Sequence, residues 1–474
     1  MGIDITSFFI YRFRYWIGYI LIGLLLMGVL VFAGLYAPGG ISDQEMAAVV
    51  KSSTLSITDI SSLGVTNMPF HLLQQASINL FGVSNFSIKL PSLVIALLSA
   101  IGLILLLQRW FTPRIAVLAS LIAISTGQFL FIAQSGTPGI LYVLWSVWLL
   151  LLGTLIAKRI NHGLLWKMLF FAVAALSLYT PLSIYALVAL TAAAFIHPHL
   201  RYVMSQLSRQ RIIKSAPIAI VLLIPLIIGI FKNPSMGLEI LGITAAWPDI
   251  PANLTTLFNQ YLGFATASTT GLMTPVFGLG SMLIIGYGAY RLIKTRDSTQ
   301  SYLIIIWLVC LIPVLVISPK YTSVTFLPLV LLMATGLQSL LGYWYRLFPR
   351  NPYARIAGLI PLIVLISALM LTGLERYVYG YHYDPDTSSN FSLDLALLPK
   401  DTDQLMVTSA EQPFYSIVAS HSKAMTIISQ PVGDGFVATK DANRTFPRYQ
   451  LTKVVTSGTQ NDADRFYIYK KTNP

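Results

Sequence analysis

Hydrophobic residues run through this chain in long unbroken blocks, without the strict alternation of a half-buried strand. Runs such as GYILIGLLLMGVLVFAGLY and LWSVWLLLLGTLIA contain no charge and approach the roughly 20 apolar residues a helix needs to cross a hydrocarbon layer. The pattern predicts eleven spans, near 16–37, 90–108, 115–133, 139–157, 164–179, 182–197, 215–231, 274–290, 301–318, 322–342 and 356–374. Three connections are long, 38–89, 232–273 and 375–474. In the first, apolar residues recur at helical spacing from Phe70 to Phe81 with Gln74, Gln75 and Asn79 between them, which predicts a helix lying on the membrane surface. From about Asp401 the pattern shortens to β-prone runs, QLMVTS, AMTIIS, KVVTS and RFYIYKK, with a helical EQPFYSIVAS and turn-rich stretches such as QPVGDG between. The predicted fold class is therefore an all-α polytopic membrane bundle of about 11 transmembrane helices (1–374) followed by a small C-terminal extracytoplasmic α/β domain (375–474).

Composition removes the soluble alternative. Of 474 residues, 55% are hydrophobic and 10% charged, against roughly 25% charged in an ordinary globular domain, and the mean hydropathy is +0.71. Charge then orients the bundle. Lys and Arg accumulate in short cytoplasmic loops, and with Arg12 and Arg14 inside, seventeen of the 31 basic residues fall in cytoplasmic segments. Only Lys51, Lys89, Lys232 and Lys320 fall in outer loops between spans. The expected topology is N-terminus cytoplasmic and C-terminus extracytoplasmic, in a plasma membrane taken to be bacterial, with the first span kept as an anchor. The net charge of +13 is explained by these helix ends and implies no nucleic acid. The single Cys310 excludes a disulfide framework and a cysteine-based metal site.

Carboxylates are scarce enough to be informative. Eleven of the 18 lie from Glu375 onward, and the outer loops of the membrane domain hold Asp43, Glu45, Asp59, Glu239 and Asp249. Asp43 and Glu45 follow the first span in GGISDQEMAAV. Ser42 and Glu45 have the spacing of a capping box, a purely structural role. The functional reading is that one of the two acids faces a cavity at the membrane boundary as a general base or binds a metal, and both roles can coexist.

These residues resemble, in order and position, the C-type glycosyltransferases of the protein O-mannosyltransferase and lipid A aminoarabinose transferase kind. The likeness rests on SDQEMAA after the first span, NMPFHLLQQASINLFGVSNFSIK leading into Lys89-Leu90-Pro91-Ser92, the turn at Thr137-Pro138 within AVLASLIAISTGQFLFIAQSGTPGILYVLW, LYTPLS at Leu178 to Ser183, and SPKYTSVTFLPLVLLMATGL. It covers roughly residues 10–345. Two departures stand out. Gln44 separates Asp43 from Glu45, where the family usually has an adjacent pair, and Gly139 occupies a position where many members place an acid.

The resemblance implies transfer of a sugar, hexosyl or pentosyl, from a polyprenyl-phosphate donor to an acceptor hydroxyl on an envelope glycan, lipid or protein. It implies Asp43 as base with Glu45 as partner or replacement, and Lys89, Lys320 and Tyr321 around the leaving phosphate. Each lysine has snorkelling to the headgroups as its structural alternative. His71 joins the substrate-binding candidates, although a lone His is more often a polar interface residue. A divalent cation, Mg or Mn, is compatible with the family, but Gly139 leaves fewer acids to hold one. Two other classes remain open: a transporter or flippase of lipid-linked sugars, for which no internal repeat is visible, and a catalytically inactive envelope scaffold.

Overall fold

The computed structural model describes residues 40–472 except 57, 159–162, 244–246, 265–274, 320, 348–358, 385–386, 392–393, 422–424 and 457–463. Before residue 40 it describes only Trp16, Ile20, Gly23, Leu24, Leu26, Met27 and Gly28. Most of the predicted span 16–37, and Lys320, therefore lie outside the described residues.

Two amphipathic helices, α1 (Asp43–Ser53) and α2 (Met68–Phe81), precede the bundle. Then come α3 (Asn85–Trp110), α4 (Pro113–Ile124), α5 (Gly127–Gln134), α6 (Leu141–Ala157), α7 (Gly163–Ser177), α8 (Ile184–Ile196) and α9 (Pro198–Ser205). They are followed by α10 (Arg209–Lys232), α11 (Pro234–Leu241), α12 (Ile250–Leu262), α13 (Leu279–Lys294), α14 (Thr299–Ile317), α15 (Phe326–Leu347) and α16 (Leu359–Glu375). By length and composition six helices among the described residues can cross a membrane, or up to eight if each of two bent pairs is one span. The chain is a multi-pass membrane protein. The apolar windows of α3, α6 and α15 are 56%, 61% and 67% buried, whereas those of α10 and α16 are 17% and 22% buried, so the first three form the centre of the bundle and the last two its periphery.

The predicted span 115–133 is not one helix. α4 and α5 meet at 61° because the polar pair Ser125-Thr126 ends one helix and starts the next. Thr126 Oγ1 donates to the Ala123 carbonyl at 2.7 Å and accepts from Phe129 N at 3.4 Å. Gly373 of α16 crosses against this break, since a Cβ there would fall 2.3 Å from the Ser125 carbonyl oxygen. A comparable close approach joins α13 to α15: a Cβ on Gly336 would lie 2.3 Å from the Ile284 carbonyl oxygen. Small residues thus let backbones touch where no water drives association.

The C-terminal domain is a five-stranded mixed sheet. Strands β1 (Gln404–Met406), β2 (Thr426–Ile428), β3 (Gly435–Thr439), β4 (Tyr449–Thr456) and β5 (Asp464–Lys471) take the order β2-β1-β3-β5-β4. β1 pairs in parallel with β2 and β3, and β5 antiparallel with β3 and β4. Helix α17 (Gln412–Ser420) covers one face. Its Phe414, Tyr415 and Val418 share a buried cluster with Ile41 and Val49 around α1 and with Ile78 and Ile88, which docks this domain on the entry helices. The stretch GFVAT, lying beside the turn residues QPVGDG, is a strand that the sequence pattern did not predict.

Candidate functional site

Helix α1 starts where the sequence predicts, and its first turn separates the two acids. Ser42 is the N-cap: its hydroxyl accepts from Glu45 N at 3.4 Å, and Glu45 Oε2 accepts from Ser42 N at 2.9 Å. This reciprocal bonding fixes the Glu45 carboxylate under the helix start. Asp43, two residues earlier on the helical spiral, is exposed, while Glu45 is fully buried.

A buried carboxylate needs a cation and hydrogen-bond donors. Glu45 has both. Lys89, one turn into α3 and 6% exposed, places Nζ 3.7 Å from Glu45 Oε1. The Gly136 N–H donates to the same oxygen. A Cβ at position 136 would fall 2.7 Å from the Ile88 side chain and 3.1 Å from Glu45 Oε1, so glycine is what admits the carboxylate there. Ser92, one turn beyond Lys89, donates to the Ser135 carbonyl, binding α3 to the turn that leads into Thr137-Pro138.

A second layer of polar groups holds this arrangement. Gln74 of α2 donates through Nε2 to the Ile88 carbonyl at 3.0 Å and to the Gly136 carbonyl at 3.1 Å. Its Oε1 accepts from Ser52 Oγ at 2.7 Å, and Ser52 Oγ lies 2.9 Å from His71 Nδ1. With the serine proton given to Gln74, His71 must carry its proton on Nδ1. Burial, and next the nearby Lys51 charge, hold the His71 pKa down at about 3, so the imidazole is neutral.

The structure thus brings Glu45, Lys89 and His71 into one buried network and leaves Asp43 at its exposed edge. Tyr321 lies half-buried with its ring 6.0 Å from that of Tyr142, beyond the Thr137-Pro138 turn. Gln74, Ser52 and Gly136 were not singled out as site residues from sequence. Their signals were present only as polar spacing in an apolar helix and as a glycine before Thr-Pro. Among the described residues no group of three or more His, Cys, Asp or Glu converges. Both Glu45 oxygens are engaged and Gly139 brings no carboxylate, so these residues do not by themselves make the oxygen donor set of a Mg or Mn ion.

Residues 68–228 match the family model described as dolichyl-phosphate-mannose-protein mannosyltransferase. Two crystal structures of ArnT from Cupriavidus metallidurans share the fold. The apo form is 13% identical with a TM-score of 0.55, covering 95% of this chain and 97% of that one. The form bound to undecaprenyl phosphate is 12% identical with a TM-score of 0.57, covering 95% and 98%. The Archaeoglobus fulgidus oligosaccharyltransferase tethered to an acceptor peptide is 13% identical with a TM-score of 0.52, covering 89% of this chain and 64% of that one. No curated protein matches the sequence. The chain thus shares its fold with ArnT and, over residues 68–228, resembles that mannosyltransferase family.

Proposed function

We propose that the protein transfers a sugar from a polyprenyl-phosphate donor to an acceptor hydroxyl at the outer face of the membrane, with the N-terminus cytoplasmic. The observation that carries this reading is the exposed Asp43 standing on the first turn of a helix whose Glu45 is locked to Lys89 and Gly136. A free carboxylate on a rigid base suits a general base. Asp43 takes the acceptor proton, the acceptor oxygen bonds to the sugar's anomeric carbon, and the bond from that carbon to the phosphate oxygen breaks. Tyr321 and Lys320 stabilise the departing polyprenyl phosphate, and Lys89 contributes its field from behind. Glu45 is a positioning residue that fixes the helix bearing Asp43. The undecaprenyl phosphate bound to the similar ArnT supports a lipid-linked donor.

The test is transfer of radiolabelled sugar from a panel of polyprenyl-phosphate donors to extracted envelope acceptors by purified protein. Asp43→Asn is expected to lower the rate by about 10²–10⁴-fold, the usual contribution of a positioned base, while its unfolding temperature stays that of wild type because the side chain is exposed. Full activity of Asp43→Asn overturns the assignment of the base. No transfer across the panel overturns the enzyme reading and leaves a flippase or scaffold.

A further inference from the structure

At the other end of the bundle two cations meet without an acid. Lys158 Nζ reaches the Arg109 carbonyl at 2.6 Å, so α3 and α6 finish together there, and α7 begins nearby. Lys167, on the second turn of α7, is 6% exposed. Gly163, four residues earlier and on the same helix face, has its missing Cβ position 3.4 Å from Arg211 Nη1 on the first turn of α10. The guanidinium therefore lies against the face that carries Lys167, and the two like charges repel. Among the described residues neither side chain has a hydrogen bond or ion pair. The described loops and helix ends at this end hold one acid, Asp297, whose carbonyl lies 3.3 Å from His197 Nε2.

A lysine buried beside an arginine is costly unless an anion joins them. We infer that Lys167 and Arg211 form a binding site for the phosphate of an anionic lipid headgroup. The surroundings favour a lipid. Leu164, Leu165 and Ile213 are 40%, 50% and 69% exposed next to the two cations, an apolar collar of the kind that meets acyl chains while the charges meet the headgroup. Helix α9 turns 92° from α8 at the same end, as an interfacial segment does. The site is remote from Asp43 and Glu45, so it stands whether or not the protein transfers sugar.

The experiment is thermal unfolding of the purified full-length protein in neutral detergent, titrated with phosphatidylglycerol, with phosphatidylcholine and with inorganic phosphate. Phosphatidylglycerol is expected to raise the unfolding temperature of wild type where phosphatidylcholine and phosphate do not. Lys167→Met, which keeps the stem and removes the charge, and Arg211→Gln are each expected to weaken the phosphatidylglycerol response at least about tenfold in half-saturating concentration, the loss of one charge-assisted contact. Lys400→Gln, in the distant C-terminal domain, should leave it unchanged. An undiminished response in both variants overturns the site. An equal response to phosphatidylcholine, or to inorganic phosphate alone, overturns the lipid assignment.

Discussion

Replacing Glu45 by glutamine separates a structural carboxylate from a catalytic one. In the wild type Oε2 accepts from Ser42 N at 2.9 Å, and Oε1 accepts from Gly136 N and faces Lys89 Nζ at 3.7 Å. Glutamine has one acceptor oxygen. Whichever way its amide turns, an N–H of the protein meets an NH2 group, and buried Lys89 loses its Glu45 counter-charge and keeps that of Asp394. Breaking a buried pair by removing one partner costs about 3–5 kcal/mol. The lost backbone contact is part of that cost, since one unmade buried hydrogen bond is about 1–3 kcal/mol. Removing both charges, in Glu45→Gln with Lys89→Met, takes away the buried lysine that has lost its Glu45 carboxylate, leaves Asp394 paired with Arg465, and should be more stable than Glu45→Gln by about 2 kcal/mol or more. The assay is reversible unfolding in mixed micelles for wild type, both single variants and the double variant, which closes a double-mutant cycle. Glu45→Gln within about 1 kcal/mol of wild type, or a double variant no more stable than Glu45→Gln, refutes the reasoning. A loss of transfer with no loss of stability would move the base from Asp43 to Glu45.

Three further outcomes follow from the same geometry. His71, with a pKa of about 3 against 6.5 in the unfolded chain, binds its proton in the unfolded state first, so its contribution to stability is present above pH 6.5 and is lost as pH falls towards 3. The slope is up to about 1.4 kcal/mol per pH unit, and unfolding at pH 7, 5.5 and 4.5 should show His71→Gln with a shallower pH dependence than wild type. Gly336→Ala forces a Cβ to 2.3 Å from the Ile284 carbonyl oxygen, whereas a Cβ at Gly342 on the same helix meets nothing within 4 Å. Unfolding measurements should show Gly336→Ala destabilised by about 1–3 kcal/mol and Gly342→Ala unchanged or stabilised by up to about 1 kcal/mol. Gln74→Leu removes the side chain that joins Ile88, Gly136 and Ser52, and should cost about 1–3 kcal/mol while Gln75→Leu, which gives up one bond to the Leu55 carbonyl, costs less.

Much of the membrane domain was legible because many of its helices are long and apolar, although six to eight of the described helices are long and apolar enough to cross a membrane, against eleven predicted spans. Each predicted span from 90–108 onward falls on a helix, although 115–133 falls on two and the helix under 274–290, Leu279–Lys294, is not among those apolar and long enough to cross a membrane. That bend was hidden because Ser125 and Thr126 are ordinary residues within a span, and their capping role depends on Gly373 crossing the break from 247 residues or more along the chain. The predicted span 274–290 begins late, at Leu279, because Pro275 and Gly278 just before it do not continue a helix. In the C-terminal domain GFVAT was lost for a related reason. Its flanking Gly433 and Asp434 read as turn, yet its pairing is decided by β1 and β5 on either side.

The site was legible down to the residue types and no further. A serine with a glutamate three residues on announces a capping box from local spacing, and the box is present. Which of Asp43 and Glu45 stays free is a different question, answered by Gly136, 91 residues away, whose N–H claims Glu45. Lys89 carries the same ambiguity: as a lysine near a helix end it suits a headgroup, a phosphate or a carboxylate equally, and only the fold supplies the carboxylate at 3.7 Å. Gln74 shows the limit most clearly. Its amide satisfies two carbonyls and a hydroxyl that come from three separate segments, and no pattern within its own helix distinguishes it from Gln75 one position on. Local sequence therefore narrows the candidate groups, while long-range packing decides which of them are spent on holding the fold and which stay exposed, as Asp43 does.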